Sequence, residues 1–324
     1  ILIALAAGRR WKQGAIFLTA VAVVLGGWWL RNRLSVSGDL AYSEWMLFRD
    51  PYRPELGTVT FGELLARFAF NFKAYTLAVL PQSLGGRDMS TGAAGVYGVL
   101  LAIPVVVGAF RRIKELRVAE LFFILYMGLV LLWPEAWSDQ RLLLPVLPVA
   151  VVLFMEGLGW LGDRLNRARA AEKATLLAFV AGVAVVGVAL FGNVRIMGDA
   201  LGCARQYWRG NPYACYPAPT VDFINAAIWT KAATPADAVV INRKPQIFYW
   251  YARRRGDNYP YTTDVDSVMS FINSQGATYV VVDRWSATTS RYLVPAIQRY
   301  RNRFGLAHQE GDPPTFVLTY RREY

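Results

Sequence analysis

The sequence is poor in the residues that most often carry enzyme chemistry, with one histidine and two cysteines among 324 residues. A single histidine argues against a histidine-based catalytic triad and against a histidine-rich metal site. The sequence also lacks a GxGxxG after a strand, a Walker loop, HExxH, GxSxG and CxxC. It therefore predicts no metal and no cofactor, and it argues against a dinucleotide-binding domain.

Charged residues are scarce as well, and several long stretches of the chain contain none. Hydrophobic residues make up 55% of the chain, which is too apolar for an ordinary soluble domain. A bilayer core about 30 Å thick needs about 20 residues of helix. The charge-free runs predict five membrane spans, at 14–30, 89–110, 121–134, 142–155 and 174–194. The third and fourth are long enough only if Glu120 and Glu156 lie near the headgroups or inside the bundle.

The chain opens with ILIALAAGRR, in which positive charge follows an apolar segment. A signal peptide has the reverse order. This pattern predicts the tail of a further, truncated transmembrane helix, and hence the C-terminal portion of a longer protein.

The net charge of +12 follows the predicted topology rather than a nucleic-acid surface. The short loops 8–14, 111–117 and 163–173 hold 3, 4 and 4 Lys/Arg residues, and short basic loops stay in the cytoplasm. The sequence therefore predicts a transmembrane bundle over 1–193 with an outer loop at 31–88. Residues 194–324 then form an extracytoplasmic domain.

The two cysteines, Cys203 and Cys215, both fall in this predicted outer part, in a segment rich in Gly and Pro. Their short separation and their compartment favour a disulfide over free thiols.

The extracytoplasmic domain alternates strand and helix patterns. Strands are predicted at 237–242, 278–283, 305–310 and 315–321, with helices between the first three. This alternation predicts a soluble α/β domain, Rossmann-like and three-layered, with a largely parallel sheet. The last two strands are separated by GDPP, which is compatible with an antiparallel hairpin.

The outer loop contains an amphipathic helix within VTFGELLARFAFNFKAYTLAVLP. A polar stripe is formed by Thr60, Glu63, Arg67 and Asn71, with Glu63 placed to support Arg67. The opposite face is apolar and aromatic: Phe61, Leu64, Leu65, Phe68, Phe72, Tyr75 and Val79. Such a helix suits the membrane interface, or it packs on the soluble domain, and in either place it is suited to wall a lipid-facing cavity.

Arg141 stands where the short outer loop WPEAWSDQ meets the fourth apolar run, with Pro145 and Pro148 in its first turns. Two uses of its guanidinium are open on chemistry alone. In the first, it reaches lipid headgroups or pairs with Asp139. In the second, it binds the phosphate of a lipid-linked substrate, which the planar fork of a guanidinium suits.

The stretch DQRLLLPVLP resembles the RYLLPLLP-type element of membrane glycosyltransferases with the GT-C fold. These include protein O-mannosyltransferases and aminoarabinose transferases of lipid A. As a motif the resemblance covers only this stretch, with Leu142 where an aromatic is frequent, but the predicted order of bundle, outer loops and outer α/β domain is also similar. It implies a polyprenyl-phosphate-linked sugar as donor, an extracytoplasmic glycan, lipid or protein as acceptor, and a bacterial inner membrane as the location.

The resemblance also implies residue roles. Arg141 carries over as the ligand of the donor phosphate, supported by Asp139, Gln140, Glu135 and Trp137. The general base of such enzymes is an acidic residue of the first outer loop, which would precede Ile1, so no catalytic base is assigned in this chain. The alternative is a non-enzymatic, membrane-anchored subunit of cell-envelope assembly that binds a glycan or a protein.

Overall fold

A computed structural model describes residues 11–35, 42–85, 89–112, 115, 118–167 and 171–322. The truncated helix predicted at the start of the chain lies outside these residues. The chain forms two compact units. The N-terminal unit comprises Ile1–Pro51 and Thr58–Ala200, and the C-terminal unit comprises Tyr52–Gly57 and Leu201–Tyr324. The sequence puts the boundary at 193/194; in the structure it falls at Ala200.

The N-terminal unit is helical. Its helices, the last of which continues into the C-terminal unit, are α1 (Trp11–Ser35), α2 (Tyr42–Leu47), α3 (Phe61–Ala74), α4 (Leu80–Gly85), α5 (Thr91–Arg112), α6 (Val118–Leu132), α7 (Leu147–Arg167) and α8 (Ala171–Trp208). A π-helical turn, Tyr75–Val79, joins α3 to α4. Within the described ranges, three segments are long and apolar enough to cross a membrane, namely Trp11–Arg31, Thr91–Arg112 and Gly182–Trp208. They support a membrane-associated, multi-pass chain.

The fourth predicted span does not form one helix over 142–155. A 3-10 helix covers Gln140–Leu143, and α7 begins only at Leu147. Pro145 lies between the two helices. It breaks the helix because proline lacks a backbone N–H and disfavours helical geometry in the residue before it. Arg141 therefore lies on the 3-10 helix and not in the first turn of the span.

The two acidic residues that shorten the third and fourth apolar runs face one arginine. Arg112, at the end of α5, lies 3.5 Å from Glu120 of α6 and 3.7 Å from Glu156 of α7. Glu120 is buried, so its charge is compensated inside the helix bundle rather than in water. For Glu120 this is one of the two arrangements that the length of its run requires, whereas Glu156 is exposed.

Helices α5 and α7 approach closely because both carry glycine at their contact. A Cβ atom on Gly108 would overlap the carbonyl of Leu153, and one on Gly157 would overlap the carbonyl of Pro104. Small residues at such contacts let helix backbones approach within a membrane.

The C-terminal unit contains a four-stranded sheet. Its helices are α9 (Ala218–Ala233), α10 (Pro245–Ala252), α11 (Val265–Ser274) and α12 (Val294–Arg299), and its strands are β1 (Val240–Ile241), β2 (Tyr279–Val282), β3 (Phe304–Glu310) and β4 (Thr315–Tyr320). All four strands fall at the predicted places. Asp264 caps α11 by accepting from the Asp266 N–H.

The prediction of a largely parallel sheet is wrong. The strand order is β1-β2-β4-β3, in which β1 and β2 are parallel and β4 is antiparallel to both of its neighbours. The hairpin across GDPP forms as the sequence allows, and it inserts β4 between β2 and β3. β3 consequently runs in the direction of β2 but pairs only with the reversed strand, so the sheet is mixed.

Successive strand residues point to two different cores. Ile241 and Val280 pack with residues of α11 and α12, including Ile272 and Ala296. Val240 and Val281 pack instead with α9 and α10, through residues that include Phe223, Ala227, Phe248 and Ala252. Because side chains alternate along a strand, helices cover both faces of this small sheet.

The glycine contact between α5 and α7 gives a first prediction. Gly157→Ala adds a methyl group where no space exists, and overpacking of this kind costs about 1–3 kcal/mol. We expect a lower melting temperature for the detergent-solubilised protein. Gly159→Ala is the matched control, since a Cβ at Gly159 meets nothing within 4 Å. Equal melting temperatures for the two variants would contradict the close approach.

Candidate functional site

Two residues of the polar stripe of α3, Arg67 and Asn71, face the interior of the N-terminal unit. At the start of the stripe, Thr60 is exposed and Glu63 is partly exposed. Arg67 is 4% exposed, and its terminal nitrogens donate to the carbonyls of Met46 (2.8 Å) and Phe48 (2.7 Å). Burial lowers the pKa of Arg67, and the charges of Glu135 and Glu63 oppose that effect. Arg67 thus holds the end of α2 and the residue that follows it.

Asn71, one turn further along α3, is fully buried. Its amide nitrogen donates to the carbonyls of Leu131 (3.0 Å) and Trp133 (2.8 Å). Carbonyls at the C-terminal end of a helix have no partner within the helix, and here Asn71 supplies it. Its side-chain oxygen accepts from the Ser138 hydroxyl at 3.4 Å. One amide therefore fixes both the end of α6 and the loop after it.

Glu63 does not take the role predicted for it. It completes a capping box with Thr60 at the start of α3, and its carboxylate also accepts from Arg49, 2.9 Å away. These bonds lower the pKa of Glu63, with the Thr60 backbone N–H as the largest cause. Arg67 is held by backbone carbonyls instead, so Glu63 contributes to it only at longer range.

Asp139 and Arg141, two of the predicted site residues, are joined directly. One Asp139 oxygen accepts from Nε and from a terminal nitrogen of Arg141, both at 2.6 Å, and the other caps the 3-10 helix through the Arg141 N–H at 2.7 Å. These bonds hold the pKa of Asp139 below its usual range. The Tyr75 hydroxyl donates to the Asp139 carbonyl at 3.2 Å, which ties this segment to the residues after α3.

The Arg141 side chain is nevertheless 80% exposed. Leu143, just after it, is buried in a core with Tyr75, Val130 and Leu131. The exposed guanidinium therefore stands on an anchored backbone. An exposed ion pair of this kind contributes little to stability.

The three remaining predicted residues lie in the same loop. Trp137 packs between Trp45 and Trp133, with both ring centroids 6.1 Å away. Glu135 is exposed and is close enough to affect the pKa of Arg67. Gln140 is exposed and begins the 3-10 helix. The structure thus gathers all five residues on one short loop, on which Asp139 and Arg141 bond directly to each other.

The apolar face of α3 points away from the packed interior. Phe61, Leu65, Phe68 and Phe72 are all exposed, Phe61 by 77%. Tyr75, predicted on this face, is instead buried, because its hydroxyl reaches the Asp139 carbonyl. A helix with its polar stripe inside and its aromatic face outside is inverted relative to helices of soluble proteins, and it suits contact with lipid.

Sequence periodicity finds Arg67 and Asn71 as a stripe but not their partners. Those partners are backbone carbonyls of residues 46, 48, 131 and 133, which carry no side-chain signal. The one available hint is the high cost of burying an arginine and an asparagine on a helix without partners.

The two cysteines are joined by a disulfide between Cys203 and Cys215, with Cα atoms 5.7 Å apart. Over the described part of the chain, no group of three or more His, Cys, Asp or Glu side chains is arranged to hold a metal ion. Comparison with known protein families and with curated proteins gives no match to this chain.

Asn71 provides a test of this arrangement. Asn71→Leu keeps the side-chain volume but leaves the carbonyls of Leu131 and Trp133 without their donor, at a cost of about 1–3 kcal/mol. We expect a lower melting temperature and faster proteolysis within the loop 133–141. Lys73→Leu introduces the same residue at an exposed position of α3 and serves as the control. If both variants resist protease like the unmodified chain, Asn71 does not order the loop.

Proposed function

We propose that this chain is part of an integral-membrane glycosyltransferase of GT-C type, which moves a sugar from a polyprenyl-phosphate donor to an extracytoplasmic acceptor. The observation that carries the proposal is the exposed Arg141 on a rigidly held loop. Its backbone is fixed by Asp139, Tyr75 and the buried Leu143, while its guanidinium remains accessible.

The chemistry assigned to Arg141 is electrostatic. In the transfer, the bond between the sugar anomeric carbon and the phosphate oxygen breaks, and a bond from that carbon to the acceptor oxygen or nitrogen forms. Negative charge grows on the leaving polyprenyl phosphate. A guanidinium held beside that phosphate stabilises the transition state more than the ground state.

Asp139 prepares the arginine for this role. Its carboxylate directs Nε and one terminal nitrogen of Arg141 and leaves the side chain largely in solvent. We assign Asp139 to positioning, and Trp137, Glu135 and Gln140 to the surroundings of the sugar. The general base is assigned to none of these residues, in keeping with the resemblance, which puts it in an earlier outer loop.

The outward aromatic face of α3 supports a lipid-borne donor. Phe61, Leu65, Phe68 and Phe72 offer an apolar surface on the helix whose opposite side orders the Arg141 loop. A polyprenyl chain is an apolar ligand with a charged end, so an apolar face and an arginine held by the same helix match its two parts.

The proposed location is a bacterial inner membrane, crossed several times. The basic loops would face the cytoplasm, and the Arg141 loop and the C-terminal unit, with its proposed Rossmann-like layering, the periplasm. The disulfide between Cys203 and Cys215 supports this orientation, since disulfides persist in oxidising compartments.

A membrane-anchored binding subunit is the second candidate. It is favoured by the C-terminal unit, which has two cores of its own and is large enough to recognise a ligand independently of any transfer reaction.

Arg141→Ala tests the proposal in the intact protein. With a labelled polyprenyl-phosphate sugar and total envelope lipid and protein as acceptors, we expect kcat to fall about 100-fold or more, because a transition-state contact is lost. Arg141→Lys should restore part of the rate as a point charge.

Arg209→Ala, at an exposed position after α8, controls for the loss of one positive charge. Comparable transfer by Arg141→Ala and by the control, at equal protein levels, would remove Arg141 from the reaction. No transfer by the unmodified intact protein from any polyprenyl-phosphate sugar would favour the binding subunit.

A further inference from the structure

Arg243 follows β1 at the edge of the sheet where the two parallel strands of the C-terminal unit end. β1 pairs with β2 through Val240 and Ile241, and the chain continues as Asn242, Arg243 and Lys244. Asp283 follows β2 at the same edge. In α/β proteins, ligands bind at the carboxyl ends of parallel strands.

The side chain of Arg243 is almost fully buried, with 7% of the residue exposed. Its Nε donates to the hydroxyls of Thr288 (2.9 Å) and Ser286 (3.2 Å). The rings of Tyr52 and Tyr261 lie 5.4 and 5.2 Å from the guanidinium carbon. Hydroxyls and aromatic rings orient a guanidinium, but they do not neutralise its charge.

A buried charge normally has a paired counter-charge. Throughout the described ranges, Arg243 forms no ion pair, and its two terminal nitrogens make no hydrogen bond. Both terminal nitrogens keep some contact with solvent, unlike the fully buried side-chain atoms that lack a hydrogen bond, such as Nε of Arg53. Four N–H donors of a fixed fork are therefore open to a ligand.

Asp283, whose carboxylate is close enough to feel the charge of Arg243, makes its own hydrogen bonds to other groups. Asp283 is 3% exposed, and its oxygens accept from the Trp285 N–H (2.8 Å) and the Thr289 hydroxyl (3.3 Å). Burial raises the pKa of Asp283, and its hydrogen bonds from Trp285 and Thr289 and the charge of Arg243 oppose that effect. Glu55, on the segment that carries Tyr52, accepts from the Tyr292 hydroxyl at 2.8 Å.

We propose that Arg243 binds the oxyanion of a small acidic ligand, a phosphate or a carboxylate group, between the rings of Tyr52 and Tyr261. The terminal nitrogens of a guanidinium match two oxygens of either group. Lys244 adds a second positive charge at the same strand end. This site does not depend on the function proposed above.

The test uses the full chain in lipid nanodiscs and four probes: inorganic phosphate, glucose 1-phosphate, glucuronate and glucose. We expect the three anions to bind and glucose not to bind, as measured by calorimetry. The relative affinity of glucose 1-phosphate and glucuronate identifies the preferred oxyanion. Arg243→Gln should weaken anion binding by at least about tenfold, because charge-assisted hydrogen bonds are lost.

Two matched variants separate this site from other cations. Arg284→Gln and Arg209→Gln each remove one charge from an exposed residue outside both proposed sites; both should bind the anions as the unmodified chain does. Loss of binding in either of these variants with retention in Arg243→Gln would overturn the proposal, as would equal binding of glucose and glucose 1-phosphate.

A measurement on the unmodified chain covers the case in which Arg243→Gln does not fold. Phenylglyoxal modifies accessible guanidinium groups, and its sites are mapped by mass spectrometry. Glucose 1-phosphate or glucuronate should protect Arg243 at least about fivefold, on the scale of a charged contact, and should leave Arg284 unprotected. Equal modification of Arg243 with and without both anions would refute the site.

Discussion

The N-terminal unit depends on two polar side chains buried on one helix, Arg67 and Asn71 of α3. Between them they donate to carbonyls at or just after the ends of α2 and α6, where helix carbonyls lack a partner within the helix. Burying a guanidinium or an amide without hydrogen-bond partners costs free energy. The carbonyls therefore hold these two side chains in place, and the side chains in turn hold the loops that carry the carbonyls. The loops after α2 and α6 are ordered by this exchange, together with the core that contains Leu143 and Tyr75.

With Arg67 and Asn71 turned inward, Phe61, Leu65, Phe68 and Phe72 on the other side of α3 remain exposed among the described residues. In water such an exposed apolar face favours aggregation, but the described residues include three apolar helices of membrane length, so lipid is a natural partner for it. The same helix thus orders the loop that presents Arg141 and offers an apolar surface. That combination suits a substrate with a charged head and a long apolar tail, and it underlies the proposed transfer from a polyprenyl phosphate.

Periodicity and charge in the sequence predict much of this fold. They locate the four strands, the stripe on α3 and the three longest apolar helices of the described residues, since these depend on local patterns. They miss the position of β4, because strand order is decided by pairing between distant residues. They also miss the break at Pro145 and the environment of Arg243, whose tyrosine neighbour at position 52 is 191 positions away in the chain and has no local signature.

The central claim is that a polyprenyl phosphate lies along α3 with its phosphate at Arg141. Photo-crosslinking with a diazirine-bearing polyprenyl phosphate tests it most directly, with labelled peptides identified by mass spectrometry. The account predicts labelling of the peptides that carry Phe61–Ala74 and Arg141, suppressed by unlabelled polyprenyl phosphate and not by the corresponding alcohol. Labelling spread evenly over α1, α5 and α8, with equal suppression by the alcohol, would contradict it.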